Sequence, residues 1–78
     1  MKKKYSVEIG DRLFRYNEDG SVVELYEIKN IYMKRYISGW RVVAKVIHNE
    51  IFEETIFLPD VIDMFEGGDF ELLGPKEV

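Results

Sequence analysis

No cysteine occurs anywhere in the 78 residues. That excludes a disulfide framework and a zinc–thiolate centre. Histidine is almost as scarce, since His48 stands alone in what reads as a turn with Asn49 and Glu50. A lone turn histidine reads as structural or exposed. Ser6, Ser21, Ser38 and Thr55 are the hydroxyl nucleophiles of the usual kind, and none lies near it in sequence. No nucleophile–base–acid triad is legible. Long apolar runs are missing too. Met1-Lys2-Lys3-Lys4 resembles the start of a signal peptide, but the alternating Tyr5-Ser6-Val7-Glu8-Ile9 follows it. The expectation is a cytoplasmic protein with no membrane association. Gly67-Gly68 is too short for a phosphate-cradling loop. Adjacent Glu53 and Glu54 point to opposite faces of a strand. Asp60 and Asp63 lack calcium-loop spacing. A chain this small has little room for a ligand pocket. The reading is therefore non-enzymatic, with no cofactor and no metal.

Acid is absent from one long stretch. Residues 28–49 hold Lys29, Lys34, Arg35, Arg41 and Lys45 and no Asp or Glu, a net +5. Residues 1–27 set five cations against six acids, and residues 50–78 set one cation against nine. The overall −4 thus conceals a charge-divided chain. Such asymmetry points to a partner surface or to halves that offset each other.

Alternation dominates what is present. Tyr5, Val7 and Ile9 have strand spacing up to Gly10-Asp11. Arg12–Asn17 and Ser21–Ile28 flank Glu18-Asp19-Gly20, a hairpin signal. A two-residue turn there sets Phe14 opposite Leu25, Arg15 opposite Glu24, Arg12 opposite Glu27 and Tyr16 opposite Val23. Ile28–Asn49 reads as the longest hairpin, with its turn at Ser38-Gly39. That register gathers Ile31, Met33, Ile37, Trp40, Val42, Ala44 and Val46 on one face, with Arg35 their only charge. It gathers Tyr32, Lys34, Tyr36, Arg41, Val43 and Lys45 on the other. It also avoids setting Arg35 opposite Arg41, an unfavourable pair. Ile51–Leu58 is the next strand, which brings Glu53 or Glu54 to Lys45. Pro59 suits a first helical turn and Asp60 its positive end. The apolar stripe of Val61, Ile62 and Phe65 then runs to Gly67, read as a left-handed cap. Phe70–Leu73 reads as a last short strand. The expected core is Phe14, Leu25, Trp40, Val42, Val46, Phe57, Ile62 and Phe65.

One domain spanning 1–78 follows, mainly β: a small antiparallel barrel or bent sheet of five or six strands with one short helix near the C-terminus. The segment V-E-I-G-D-R-L-F-R-Y-N-E-D-G-S-V resembles the opening of SH3-like barrels of the KOW and Tudor type, in its Gly-Asp pair before a strand and a turn. It departs from a KOW repeat in having no glycine within Val22-Val23-Glu24-Leu25. The resemblance implies a module that binds nucleic acid or protein segments.

Two candidate faces remain. Tyr32, Lys34, Tyr36, Arg41 and Lys45 interleave aromatics with cations, the chemistry that stacks bases and meets phosphates. Asp60, Asp63 and Glu66 offer an acidic surface for a basic partner. An acidic balance disfavours nucleic acid. The expected function is a protein-interaction module, accessory, regulatory or inhibitory, that uses the charge-divided surface. The alternative is nucleic-acid binding through hairpin 31–47.

Overall fold

The computed structural model describes residues 6–75. They form β1 (Arg12–Tyr16), β2 (Val22–Tyr36), β3 (Gly39–His48), β4 (Phe52–Phe57), α1 (Leu58–Glu66) and β5 (Glu71–Leu73). The strands make one open antiparallel sheet in the order β4-β3-β2-β1-β5. The mainly β class, the strand number and the late helix are as expected, and the sheet is open rather than closed into a barrel.

β2 is the spine of the sheet. Its 15 residues contain no Gly or Pro and are rich in β-branched and aromatic types, so nothing interrupts the strand. It serves two hairpins at once. A bulge at Lys29, where Ile28 pairs with Val46 but Asn30 with Lys45, takes up the change between them.

The first hairpin keeps the expected pairs Arg12↔Glu27, Phe14↔Leu25 and Arg15↔Glu24. Tyr16 pairs with Val22 rather than Val23. Asn17 donates to the Ser21 carbonyl and Gly20 to that of Asn17, so the loop holds three residues and Gly20 takes the positive φ of 87°.

The central hairpin turns one residue earlier than expected, which moves each cross-strand partner by two. Tyr36 pairs with Gly39, and Ile37-Ser38 form the turn. Only Gly39 has positive φ there, at 116°, so glycine follows the turn instead of occupying it. A shift of two preserves the side-chain parity of both strands, so both expected faces survive.

Residues 6–9 are not a strand. Glu8–Asp11 is a tight turn instead, closed by Asp11 N–H to the Glu8 carbonyl at 3.1 Å, with Gly10 at φ 96°. The buried Asp11 carboxylate accepts the Glu8 N–H at 2.8 Å. Tyr5 lies outside the described residues.

α1 starts at Leu58, with Pro59 in its first turn and Asp60 at its positive end. Gly67 stays right-handed at φ −71°, and Gly68 supplies the left-handed residue at 88°. The Asp63 carbonyl accepts Gly67 N–H at 2.8 Å.

The core lies between α1 and one sheet face. Leu13, Ile28, Ala44, Val46 and Leu72 share that face and close over Val61. Leu58, Met64 and Phe65 pack around them. Of the expected core, Val46 is buried and Phe14, Leu25, Ile62 and Phe65 are half-buried. Trp40, Val42 and Phe57 are exposed. For Trp40 and Val42 the reason is length: α1 covers only the end of the sheet near Val46, and the distal β2–β3 hairpin runs on past it. Phe57 pairs with Val43 and lies on the face turned away from α1.

Candidate functional site

Tyr32, Lys34, Tyr36, Arg41 and Lys45 do share one sheet face, the one turned away from α1. Val43 sits among them, paired with Tyr32 on one side and Phe57 on the other, and is wholly buried. Tyr36 meets Phe57 edge-on, with ring centroids 5.4 Å apart. The observed register places Lys34 opposite Arg41. Like charges so placed repel. Each leans on a different ring: Lys34 Nζ is 5.5 Å from the centre of Tyr36, and the Arg41 guanidinium is 6.0 Å from that of Phe57. These cation–π contacts offset the repulsion.

Lys45 is not free. Its Nζ lies 2.7 Å from Glu53 Oε1, and that hydrogen bond with the Glu53 charge raises its pKa. Lys29 Nζ is 3.7 Å from Glu27 Oε2. Among the described residues Lys34, Arg35 and Arg41 have no acidic partner within ion-pair distance.

The other side of the same hairpin tip is apolar. Met33 is paired with Val42, and Arg35 with Trp40. Trp40 is 63% exposed and Met33 59%, while Ile37 at the turn is fully exposed. The alternation here predicts a core face, but nothing among the described residues packs over Met33, Ile37 and Trp40.

Asp60, Asp63 and Glu66 stand on the outer surface of α1, three residues apart and exposed. They are on the opposite side of the sheet from Tyr32, Lys34, Tyr36, Arg41 and Lys45. The eight candidate residues therefore form two separate surfaces.

A third constellation escaped the sequence reading. His48 is the last residue of β3, not a turn residue. Its Nε2 lies 2.7 Å from Glu24 Oε2 and its Nδ1 2.6 Å from Glu54 Oε2. Arg15 Nε donates to Glu24 Oε1 at 3.0 Å. Tyr26 stacks on the imidazole with centroids 4.2 Å apart, and its hydroxyl donates to Glu24 Oε2 at 3.3 Å. Burial pushes the Glu24 carboxyl up, but the Arg15 and His48 hydrogen bonds and charges together outweigh it and hold it below the usual range. Burial first, then the Glu24 and Glu54 charges, push the Tyr26 hydroxyl up to about 12. The observed registers put all of them on one face, with Tyr26 opposite His48, Arg15 opposite Glu24 and Val46 opposite Glu54. Chemically the group is a clamp across β1 to β4, with both imidazole nitrogens and both Glu24 oxygens engaged. No group of three or more His, Asp or Glu among the described residues is arranged to hold a metal ion. No helix among them is long and apolar enough to cross a membrane. Comparison with protein-family models, curated proteins and solved structures finds no match for this chain.

Proposed function

We propose that the protein is a non-enzymatic, cytoplasmic protein-interaction module that grips its partner with the distal β2–β3 hairpin. The observation that carries this reading is the uncovered tip, where Trp40, Met33 and Ile37 are exposed, with Arg35 on the same face and Lys34 and Arg41 on the other, all three cations lacking an acidic partner among the described residues. Exposed tryptophan flanked by arginine is the composition of interface hot spots. The charge division supplies orientation: an acidic partner is drawn to Lys34, Arg35 and Arg41 and repelled by Asp60, Asp63 and Glu66 on α1. The likeness of the N-terminal segment to KOW and Tudor modules, which bind rather than catalyse, agrees with it. Nucleic acid is the weaker reading, because Tyr32 and Tyr36 are half-buried, Tyr36 is engaged by Phe57 and Lys34, and Lys45 is tied to Glu53.

The test is a partner isolated on the wild-type protein, purified, and titrated back. Trp40→Ser should weaken its binding at least about tenfold, which corresponds to about 1.4 kcal/mol. The fold should persist by circular dichroism, since the ring is exposed. Unchanged affinity overturns the reading. So does sub-micromolar binding of single-stranded DNA or RNA at physiological salt, lost in Tyr36→Ala/Arg41→Ala and retained in Trp40→Ser.

A further inference from the structure

The hairpin tip has more than side chains to offer. β1 accompanies β2 only as far as Glu27. One residue on, Ile28 N–H donates to the Asp11 carbonyl and the Ile28 carbonyl accepts Gly10 N–H, each at 2.8 Å. Beyond Ile28, no strand among the described residues pairs with that side of β2, although β2 continues to Tyr36.

The orientation of this edge follows from the register. Ile28 faces outward, away from β3, and its cross-strand neighbour is Val46. The residues opposite Ala44, Val42 and Trp40, each two further along β3, are Ile31, Met33 and Arg35. Antiparallel pairing alternates in steps of two, so the backbone N–H and C=O of these three face outward as well. Ile31 bears this out, because its N–H is satisfied by the Asn30 side-chain oxygen at 2.9 Å and not by a strand. Among the described residues the edge is therefore open at Met33 and Arg35, which lie six and eight residues past Glu27, the last residue of β2 paired with β1.

Long uncovered edges accept strands. We propose that this edge of β2 binds an extended segment of the partner protein by strand addition, and that the segment alternates acidic and apolar residues. The proposal rests on the protein-binding reading above and specifies its partner. Charge complementarity selects the occupant. An added strand would set alternate side chains beside Lys34 between Tyr32 and Tyr36 on one face, and beside Ile31 and Met33 on the other. Acids suit the first and apolar side chains the second, with Arg35 beyond Met33 to receive a further acid. A second copy of the same edge would bring Lys34 and Arg35 against their own like. The chain's own start, with Lys2, Lys3 and Lys4, carries the same wrong sign.

Backbone amide exchange followed by NMR tests it directly. The probe is a short synthetic peptide alternating glutamate and valine. In the free protein Met33 and Arg35 amides should exchange quickly, and Tyr32 and Lys34 amides, turned toward β3, slowly. Saturating peptide should slow Met33 and Arg35 by roughly tenfold or more. A peptide N-methylated at alternate residues, or with lysine for glutamate, should not. Met33→Pro removes an outward N–H that the β3 ladder does not use, so it should abolish peptide binding while Tyr32 and Lys34 stay protected. Lys34→Glu should weaken binding without any backbone change.

Protection of Met33 and Arg35 in the free protein would overturn the proposal, since the chain itself would cover the edge. Protection that grows with protein concentration would overturn it in favour of a second copy. Failure of the peptide, or equal binding of its N-methylated form, would overturn strand addition. Either result leaves the Trp40→Ser titration to decide the protein-binding reading separately.

Discussion

Tyr26 gathers several of the forces that shape this sheet. Its ring stacks on His48 and meets Phe70 edge-on at 5.7 Å, while its hydroxyl donates to a carboxylate. Burial and two nearby carboxylates disfavour the phenolate, which is why its pKa moves from 10.0 to about 12. The folded protein thus holds this proton more tightly than the unfolded chain. Stability is intact below about pH 10 and erodes as the pH climbs toward 12. An ultraviolet titration of the tyrosinates should show a late component near pH 12 that vanishes in Tyr26→Phe. A titration curve unchanged by that substitution would contradict the assignment. Nearby, Asn49 and Glu50 both adopt positive φ, at 51° and 67°. Asn49 compensates by pairing with Leu25 through both its backbone N–H, at 2.7 Å, and its side-chain oxygen, at 2.9 Å. The turn residue thereby continues the ladder one step past the end of β3.

Among the elements, β1 shows how the two sheet faces differ in energy. Leu13 lies on the α1 side between Tyr26 and Leu72 and is fully buried. Phe14, its neighbour, lies on the uncovered side and is only half-buried, with Arg12 5.3 Å from its ring centre. Leu13→Ala should cost about 3–4 kcal/mol, enough to unfold much of so small a domain. Phe14→Ala should cost clearly less, about 1–2 kcal/mol, because the ring is only half-buried, on the face that α1 does not cover. Urea unfolding of the two variants checks the order, and a larger loss for Phe14 would mean that its face is covered. Much of this was legible in the sequence. Alternation in Arg12–Tyr16 and the charge pairs Arg15/Glu24 and Arg12/Glu27 specify the first hairpin, and Pro59 to Gly67-Gly68 brackets the helix. What alternation cannot reveal is where the covering layer stops. Trp40 and Val42 obey the same period as Ala44 and Val46, yet α1 is only nine residues long and reaches the latter pair alone. The His48 cluster was hidden for a different reason. Its members are distant in sequence, and only two registers taken together bring Glu24, His48 and Glu54 into contact.

At the scale of the whole molecule, charge is sorted by position. The body carries the acids, with Asp60, Asp63 and Glu66 along the outside of α1. The projecting hairpin carries Lys34, Arg35 and Arg41, which keep no acidic partner among the described residues. The candidate surfaces could be listed from the sequence because charge runs are visible in one dimension. Their separation onto opposite sides of the sheet could not, since it depends on which face α1 covers.

Trp40 is the chain's single tryptophan, and it stands across from Arg35 at the far end of that projection. Its emission is therefore a voltmeter for the tip alone. A net charge of −4 would, if spread evenly, favour caesium over iodide as a collisional quencher. The local cations invert that preference. At low ionic strength iodide should quench Trp40 more steeply than caesium, and the difference should fade as added salt shortens the Debye length from about 30 Å at 0.01 M to about 3 Å at 1 M. Arg35→Glu should reverse the order, whereas caesium dominance in the unsubstituted protein would mean that the tip does not hold the positive field its sequence supplies.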